Sequence, residues 1–488
     1  MKRRIISLLI ALAMTAVLFP GTGVFAIGSR DAHPTPEGYN DHDYQKLVAF
    51  LEQTDPTGVK NGVKLSAGYD PADPATWGGE PSFEDYVGFS WTEGNDKRIV
   101  SFGCEAGVLS VMYGQLDLSG CTELTNLWCG CNNISSVNVS GCDKLSLLSC
   151  SEDPLNDSLY LSGCGSLSEL YCSYCSLTEL PLSELPSLAV LIFEGNSITE
   201  LDLTVCPLLE EVVLYYMELE YLNVSGLANL RMLDVSGCGL DTLEIRDCPS
   251  LEALGCEGNG LTSLEITSCP ALHAINCGYN SLTELDVTGL PELNSLAFYG
   301  NRIQSVDLSC NPLLRTLSCS YNLLQELDVS ANPLLGSLSC FGNRIKLFDL
   351  SNNPLLPFDI ISAQGNGFVE FGREEEFCGS FGAAAVTSEG STFAGWFDEN
   401  GELISTSTVL WEEDTDCARI TAKFVQADVP GDADGSGEVT SADALTVLRF
   451  ALGLTDIPPT LIMLCDMDSD GEVTSADALA ILRLAMGL

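Results

Sequence analysis

Five asparagines, Asn259, Asn280, Asn301, Asn322 and Asn343, recur every 21 residues. This period constrains the fold more than any other feature, because a unit so short cannot bury its own apolar face and must stack on its neighbours. One unit runs Leu314, Leu317, Cys319, Asn322, Leu324, Leu327, Asp328, Val329, Asn332, with mostly polar residues between. It holds two short stretches that alternate with period 2, so each turn is expected to carry two extended segments with one face inward. The period spans about Cys104 to Phe371, roughly a dozen turns, with one residue inserted between Cys150 and Cys172.

The register separates core from surface. Cys129, Cys150, Cys172, Cys256, Cys277, Cys319 and Cys340 share one slot with Phe193, Leu214, Val235 and Phe298. A second slot holds Cys121, Cys142, Cys164, Cys206, Cys248 and Cys269, then Asn311, Asn332 and Asn353, and also Leu185, Leu227 and Leu290. A slot that accepts Cys, Phe, Leu and Val is a core slot. The chain has 21 cysteines, which suggests a disulfide scaffold, but this register points to buried free thiols, safe in a reducing habitat. Cys129-Gly130-Cys131 and the Cys172/Cys175 pair have the spacing of zinc or iron ligands. However, Cys172 belongs to the core slot and Cys175 stands where other repeats have Asn. The Asn column itself is expected to bond the backbone of the turning chain.

Two outward features remain. Trp128, Tyr171, Tyr215, Tyr299 and Phe341 flank the cysteine slot, with Tyr216, Tyr279 and Tyr321 one step further on. Stacked turns would gather them into an aromatic patch suited to a protein or a sugar. Asp202, Glu244, Glu265, Asp286, Asp307, Asp328 and Asp349 form an acidic column at about 5 Å spacing. Backbone N–H groups that close each turn, or a ladder of cations, must offset the repulsion. This repeat resembles the leucine-rich repeats of bacterial surface proteins.

The tail contains one phrase twice, 34 residues apart. The first copy offers Asp432, Asp434, Ser436, the Glu438 carbonyl, Thr440 and Asp443; the second offers Asp466, Asp468, Asp470, the Glu472 carbonyl, Thr474 and Asp477. Oxygen groups at loop positions 1, 3, 5, 7, 9 and 12 with glycine at 6 form the pattern of a calcium loop, since a hard cation needs six or more oxygens around a sharp turn. Each loop leads into an apolar run at helical spacing. This tail resembles a type I dockerin, the calcium-dependent plug that fastens secreted proteins into cohesin sockets. The resemblance implies two Ca2+ ions and cohesin contacts at Ser441, Ala442 and Arg449, or at Ser475, Ala476 and Arg483. An ordinary EF-hand pair acting as a structural clip is the alternative. The second loop has one more carboxylate, so it is expected to bind calcium more tightly.

The remaining segments are read by pattern. Residues 1–26 have the form of a signal peptide: Lys2, Arg3 and Arg4, an apolar run from Ile5 to Phe19, and Ala26 at a small-x-small site. Residues 27–103 do not repeat and are expected to cap the solenoid, with a helix from Asp43 and with Trp77 and Trp91; a separate binding module is the alternative. Repeats fill 104–371. Residues 372–425 alternate around a turn at Asn400-Gly401 and resemble the small B-repeat modules of internalin-type surface proteins, on Phe393, Gly395, Trp396 and Phe397. Such modules act as spacers or adhesion units. Cys378 and Cys417 could pair there. A linker, 426–430, leads to the tail, 431–488. The expected class is therefore a mainly β and irregular leucine-rich-repeat solenoid, then a small β module, then an all-α EF-hand-like unit.

A formal charge of -47 argues against nucleic acid and anionic membranes. No later run is apolar enough to insert in a membrane. Only His33, His42 and His273 are available to a histidine-dependent triad, and no stretch is left for a catalytic domain of usual size. The expected function is that of a secreted, non-catalytic binding protein, held at the cell surface through a cohesin scaffold and presenting its repeats to a protein or glycan. A polysaccharide-degrading or peptidase component, and a cell-surface adhesin, are the alternatives.

Overall fold

The computed structural model describes residues 33–79, 87–105, 111–373, 381–388, 391–426, 429–434, 438–457, 459–468 and 471–487. The signal-peptide segment lies outside them. The helix Asp41–Leu51 begins where the Asn40 side chain accepts the Asp43 N–H. It buries Tyr44, Leu47, Phe50 and Leu51. Trp77 is fully buried against it, stacked on Tyr44 with ring centroids 5.5 Å apart. The buried Asn61 donates to the carbonyls of Phe50 and Tyr113 and accepts the Tyr113 N–H, which ties this segment to the first coil.

The hairpin Val87–Trp91 and Ile99–Cys104 opens a 13-stranded sheet. From Ile99–Cys104 onward every strand pairs in parallel with the next coil, from Ser101↔Asn126 to Ser318↔Ser339. The result is a solenoid of about 11 turns. Strands such as Asn126–Trp128 and Ser337–Ser339 bury their middle residue and leave the outer two half-buried. The second segments pair in shorter runs, as in Thr242–Arg246 with Ser263–Thr267.

Both cysteine slots are buried, together with the Phe193, Leu214, Val235 and Phe298 that replace cysteine in other turns. Burial pushes the Cys277 and Cys319 thiols up to about 12, so they behave as small apolar groups. The Asn column does what its period suggests. Asn301 donates to the carbonyls of Phe298 in its own coil and Cys277 in the coil before, and accepts the N–H of Leu282. Asn280, Asn322 and Asn343 repeat the pattern. Each amide thus satisfies backbone groups that a tight turn would leave buried without partners.

The aspartates of the acidic column close turns, while Glu244 and Glu265 pair with Arg246. Asp286, Asp307, Asp328 and Asp349 each accept the N–H of the residue two further on. Hydrogen bonds from the hydroxyls of Thr288, Ser309, Ser330 and Ser351, then from those N–H groups, hold the carboxyls below their usual range.

After the last coil the chain reverses. Leu347–Asp349 pairs antiparallel with Ile360–Gln364, which joins Arg419–Gln426, Ser391–Phe397 and Leu403–Ser405 in a five-stranded sheet. Gly367–Arg373, Phe381–Thr387 and Val409–Trp411 form a second sheet. Pairing therefore crosses the boundary at 371/372 suggested by the repeat pattern. The Cys340 N–H donates to the Phe371 carbonyl at 2.9 Å, and Phe371 packs against Phe348, Phe358 and Phe381. The module covers the open end of the solenoid, where an uncovered strand would expose unpaired backbone groups. At its tip, Asp398 accepts the N–H groups of Asn400 and Glu402 around Gly401, whose φ is +81°. Cys378 lies outside the described residues, and Cys417 is half-buried with a free thiol.

Candidate metal centre and docking surface

Two 11-residue helices, Ser441–Ala451 and Ser475–Ala485, follow the two loops of the tail. Each starts with a capping box. Thr440 accepts the Ala442 N–H while Asp443 accepts the Thr440 N–H, and Thr474 and Asp477 do the same. The helices pack around Ala444, Val447, Ala478 and Ile481, closed by Ile457, Leu461 and Cys465 of the connecting segment. Gly431, at φ +94°, fits under Ile481 and Val439, where a Cβ would meet both at 3.3–3.4 Å.

This packing draws the acids together. Oxygens of Asp432, Asp434 and Asp443 gather within 4.8 Å of one another, and those of Asp466, Asp468 and Asp477 do likewise. Asp432, Asp443 and Asp477 are buried. Asp443 also accepts the N–H groups of Ala433 and Asp434, folding the loop over its own helix start. Gly471 occupies loop position 6 at φ +91°, and its N–H reaches Asp466 at 2.9 Å. Burial works to raise the Asp477 carboxyl. Hydrogen bonds from the Thr474, Met467 and Asp468 N–H groups and from the Thr474 hydroxyl outweigh it and leave the group ionised at neutral pH. Converging hard oxygens of this kind fit a calcium ion. The Thr440 and Thr474 hydroxyls are engaged as helix caps; Ser436 and Asp470 lie outside the described residues. Glu438 and Glu472 have exposed side chains, as suits residues expected to offer only carbonyls.

Ser441, Ala442 and Arg449, and their counterparts Ser475, Ala476 and Arg483, are all exposed. Beside them lies an apolar stripe that the sequence reading missed: Leu445, Leu448 and the C-cap Leu452 along one helix, Leu479 and the C-cap Met486 along the other. The signal was available in the sequence, because 441, 445, 448 and 452 follow helical spacing on a face other than the one filling the core.

The tail rests on the β module. Ala394 of the module joins the tail's core; within the module, the Lys423 ammonium lies over the Phe397 ring at 4.3 Å. Burial pulls the Lys423 pKa down, against the opposing pull of Asp434 and Asp443.

Residues 430–484 match the family model described as dockerin type I domain. The tail is a type I dockerin domain. Such a domain binds calcium and implies a cohesin partner. No curated protein matches this chain. Solved structures similar to it include the functional domain of InlJ from Listeria monocytogenes, described as including a cysteine ladder, at 21% identity over 64% of this chain and 82% of that one, with a TM-score of 0.40. A leucine-rich-repeat protein of Leptospira interrogans is similar at 18% identity, covering 46% and 68%, with a TM-score of 0.39. An internalin (InlF) of Listeria monocytogenes shares 19% identity, covering 50% and 75%, with a TM-score of 0.36.

Away from the dockerin, the expected aromatic patch divides in two. Trp128, Tyr171, Tyr215, Tyr299 and Phe341 are half-buried. The Tyr171 hydroxyl donates to Glu169, that of Tyr215 to Asp234, and Tyr299 meets Tyr279 edge-on at 5.1 Å. In the next column the rings stand open to solvent, at Tyr174, Tyr216, Tyr279 and Tyr321. The two cysteine pairs with ligand-like spacing do not gather as metal sites among the described residues. The Cys175 thiol instead donates to the Cys150 carbonyl at 3.1 Å. His42, Asp43 and Cys121 converge within 4.8 Å, but the Arg98 guanidinium, 3.8 Å from Asp43, supplies counter-charge there. His273 lines a shallow cleft with Glu252, Glu292 and Arg315.

Proposed function

We propose that the protein is an exported, non-catalytic component of a cohesin-scaffolded assembly, fastened through its dockerin and presenting the repeat surface to a protein or polysaccharide. The observation that carries this reading is the duplicated exposed face of the tail. Ser441, Ala442 and Arg449 recur as Ser475, Ala476 and Arg483 in the same positions on two like helices, so either helix offers a cohesin the same chemistry. A merely structural clip has no use for exposed leucines on both copies.

In this reading two Ca2+ ions belong to the domain, one held by Asp432, Asp434, Ser436, the Glu438 carbonyl, Thr440 and Asp443, the other by Asp466, Asp468, Asp470, the Glu472 carbonyl, Thr474 and Asp477. The bound ions supply positive charge that offsets the crowded carboxylates. The chain's own part is to fix the helix starts through Asp443 and Asp477, which sets the angle at which the two exposed faces stand. We assign residues 1–26 to export, 27–103 to the N-terminal cap, 104–371 to the repeats, 372–425 to a closing module, 426–430 to a linker and 431–488 to docking. The test is capture of the full chain by a panel of immobilised cohesins, with calcium and with chelator. Capture that requires calcium is expected; no capture by any cohesin would sink the assignment.

A further inference from the structure

The column that follows the Asn-anchored strands by three residues reads Cys131, Glu152, Tyr174, Gly195, Tyr216, Gly237, Gly258, Tyr279, Gly300, Tyr321, Gly342. It stays in register: the Tyr174, Tyr216, Tyr279 and Tyr321 N–H groups each donate to a carbonyl of the next coil. All four tyrosines have positive φ, between 49° and 57°, a region that side chains other than glycine rarely adopt. The left-handed backbone turns each ring along the coil axis, onto the glycine of the following turn. A Cβ at Gly195 would stand 2.3 Å from the Tyr174 ring, and at Gly342 2.5 Å from the Tyr321 ring; Gly237 and Gly300 stand in the same relation to Tyr216 and Tyr279. The rings remain 45%, 72%, 59% and 64% exposed, in chain order. Apolar area held open by an uncommon backbone, with space kept free by glycine, is a built surface.

We propose that Tyr174, Tyr216, Tyr279 and Tyr321 form a single-file stacking rail for an extended, neutral, β-linked hexose polymer. This rests on the reading above that the repeats present a ligand surface, and it names the ligand class. Tyr174 and Tyr216 are two coils apart, as are Tyr279 and Tyr321, which at strand spacing is about 9.5 Å. That is close to the repeat of a disaccharide in an extended β-1,4-linked chain, so alternate sugars meet a ring within each pair; Tyr216 and Tyr279 are three coils apart, about 14 Å, a step of about three sugars. A strip one residue wide suits a linear chain better than the broad, closed patch of a protein interface. The two columns on the sheet side carry Glu194, Asp234 and Glu257 and have neither Lys nor Arg from position 128 to 341. Carboxylates there accept hydrogen bonds from sugar hydroxyls, and with a net charge of -47 they repel a polyanion.

The test uses the full chain and its triple variant Tyr216→Gly, Tyr279→Gly, Tyr321→Gly. Glycine already occupies this column in other coils, so the variant keeps the backbone and removes only the rings; unchanged thermal unfolding verifies this. Calorimetric titration with cellohexaose is expected to show binding that weakens by roughly tenfold for each ring removed. Tyr160→Ser, an exposed tyrosine outside the rail, is expected to leave binding unchanged, and polygalacturonate is expected not to bind. No binding of cellohexaose, equal binding by the triple variant, a preference for polygalacturonate, or a protein ligand lost in the triple variant would each overturn the proposal. Cohesin capture measured on the same preparations separates its failure from failure of the docking reading.

Discussion

Asp153 accepts the N–H of Ile134 at 2.7 Å from within the asparagine column. Asn280 makes the matching contact to Leu261 and also donates to the carbonyls of Cys256 and Cys277. Once ionised, Asp153 cannot donate, and its second oxygen is buried without a hydrogen-bond partner. Burial pushes the Asp153 carboxyl up to about 8, only partly opposed by the Ile134 N–H. Its folded value thus lies above its unfolded one of 3.8. The native state holds the extra proton, so stability is full below about pH 4 and is lost as pH rises toward 8, at about 1.4 kcal/mol per unit. Asp153→Asn restores the donor and removes the titration. Calorimetry should show a higher Tm for the variant at pH 7.5 and a smaller fall between pH 5 and 8; a lower Tm would contradict this account.

The complete asparagines are expected to be costly to lose. Asn301→Ala leaves the Leu282 N–H without its side-chain partner and removes one of the two amide hydrogen bonds to each of the Cys277 and Phe298 carbonyls, which Asn280 and Asn322 still reach. At about 1 kcal/mol for each lost bond, the change should destabilise the chain by roughly 3 kcal/mol. Urea unfolding measures it, and a loss below about 1 kcal/mol would mean that water substitutes for the amide.

Thiol labelling reads the two cysteine slots. Cys310 is exposed and Cys131 and Cys417 are half-buried, whereas the cysteines of both slots are fully enclosed. Iodoacetamide on the native chain should modify Cys310 first, Cys131 and Cys417 more slowly, and the slot cysteines only after unfolding. Mass mapping checks the order. Rapid native labelling of Cys277 or Cys319 would place those thiols outside the core.

Removal of calcium should loosen the dockerin without melting the coils. The solenoid and its closing module share one continuous core, whereas the tail core is a small cluster of its own. Chelator is therefore expected to shift the tail's helix signal and its proteolysis while leaving the main unfolding transition in place. Because the second loop carries one more carboxylate, Asp466→Ala should weaken the tighter of two calcium steps and Asp432→Ala the looser. Equal effects in titration calorimetry would count against the ordering.

Much of this was legible from one chain of letters. The 21-residue spacing, the alternation within it and the mixture of Cys with Phe, Leu and Val fixed which side chains face inward, because a parallel stack repeats one local geometry in every turn. The two loops were equally readable, since oxygen spacing around glycine is a local requirement of the ion. Tertiary structure alone decided the rest. Gly367–Arg373 closes the solenoid through Phe371, a partner 31 residues from Cys340, which no periodic signal announces. The exposed aromatic surface lies at Tyr216 and Tyr279 rather than at Tyr215 and Tyr299, because exposure depends on a left-handed backbone and on a glycine one coil away. Period and alternation act along the chain; exposure and closure are set between coils, where residues distant in sequence share space.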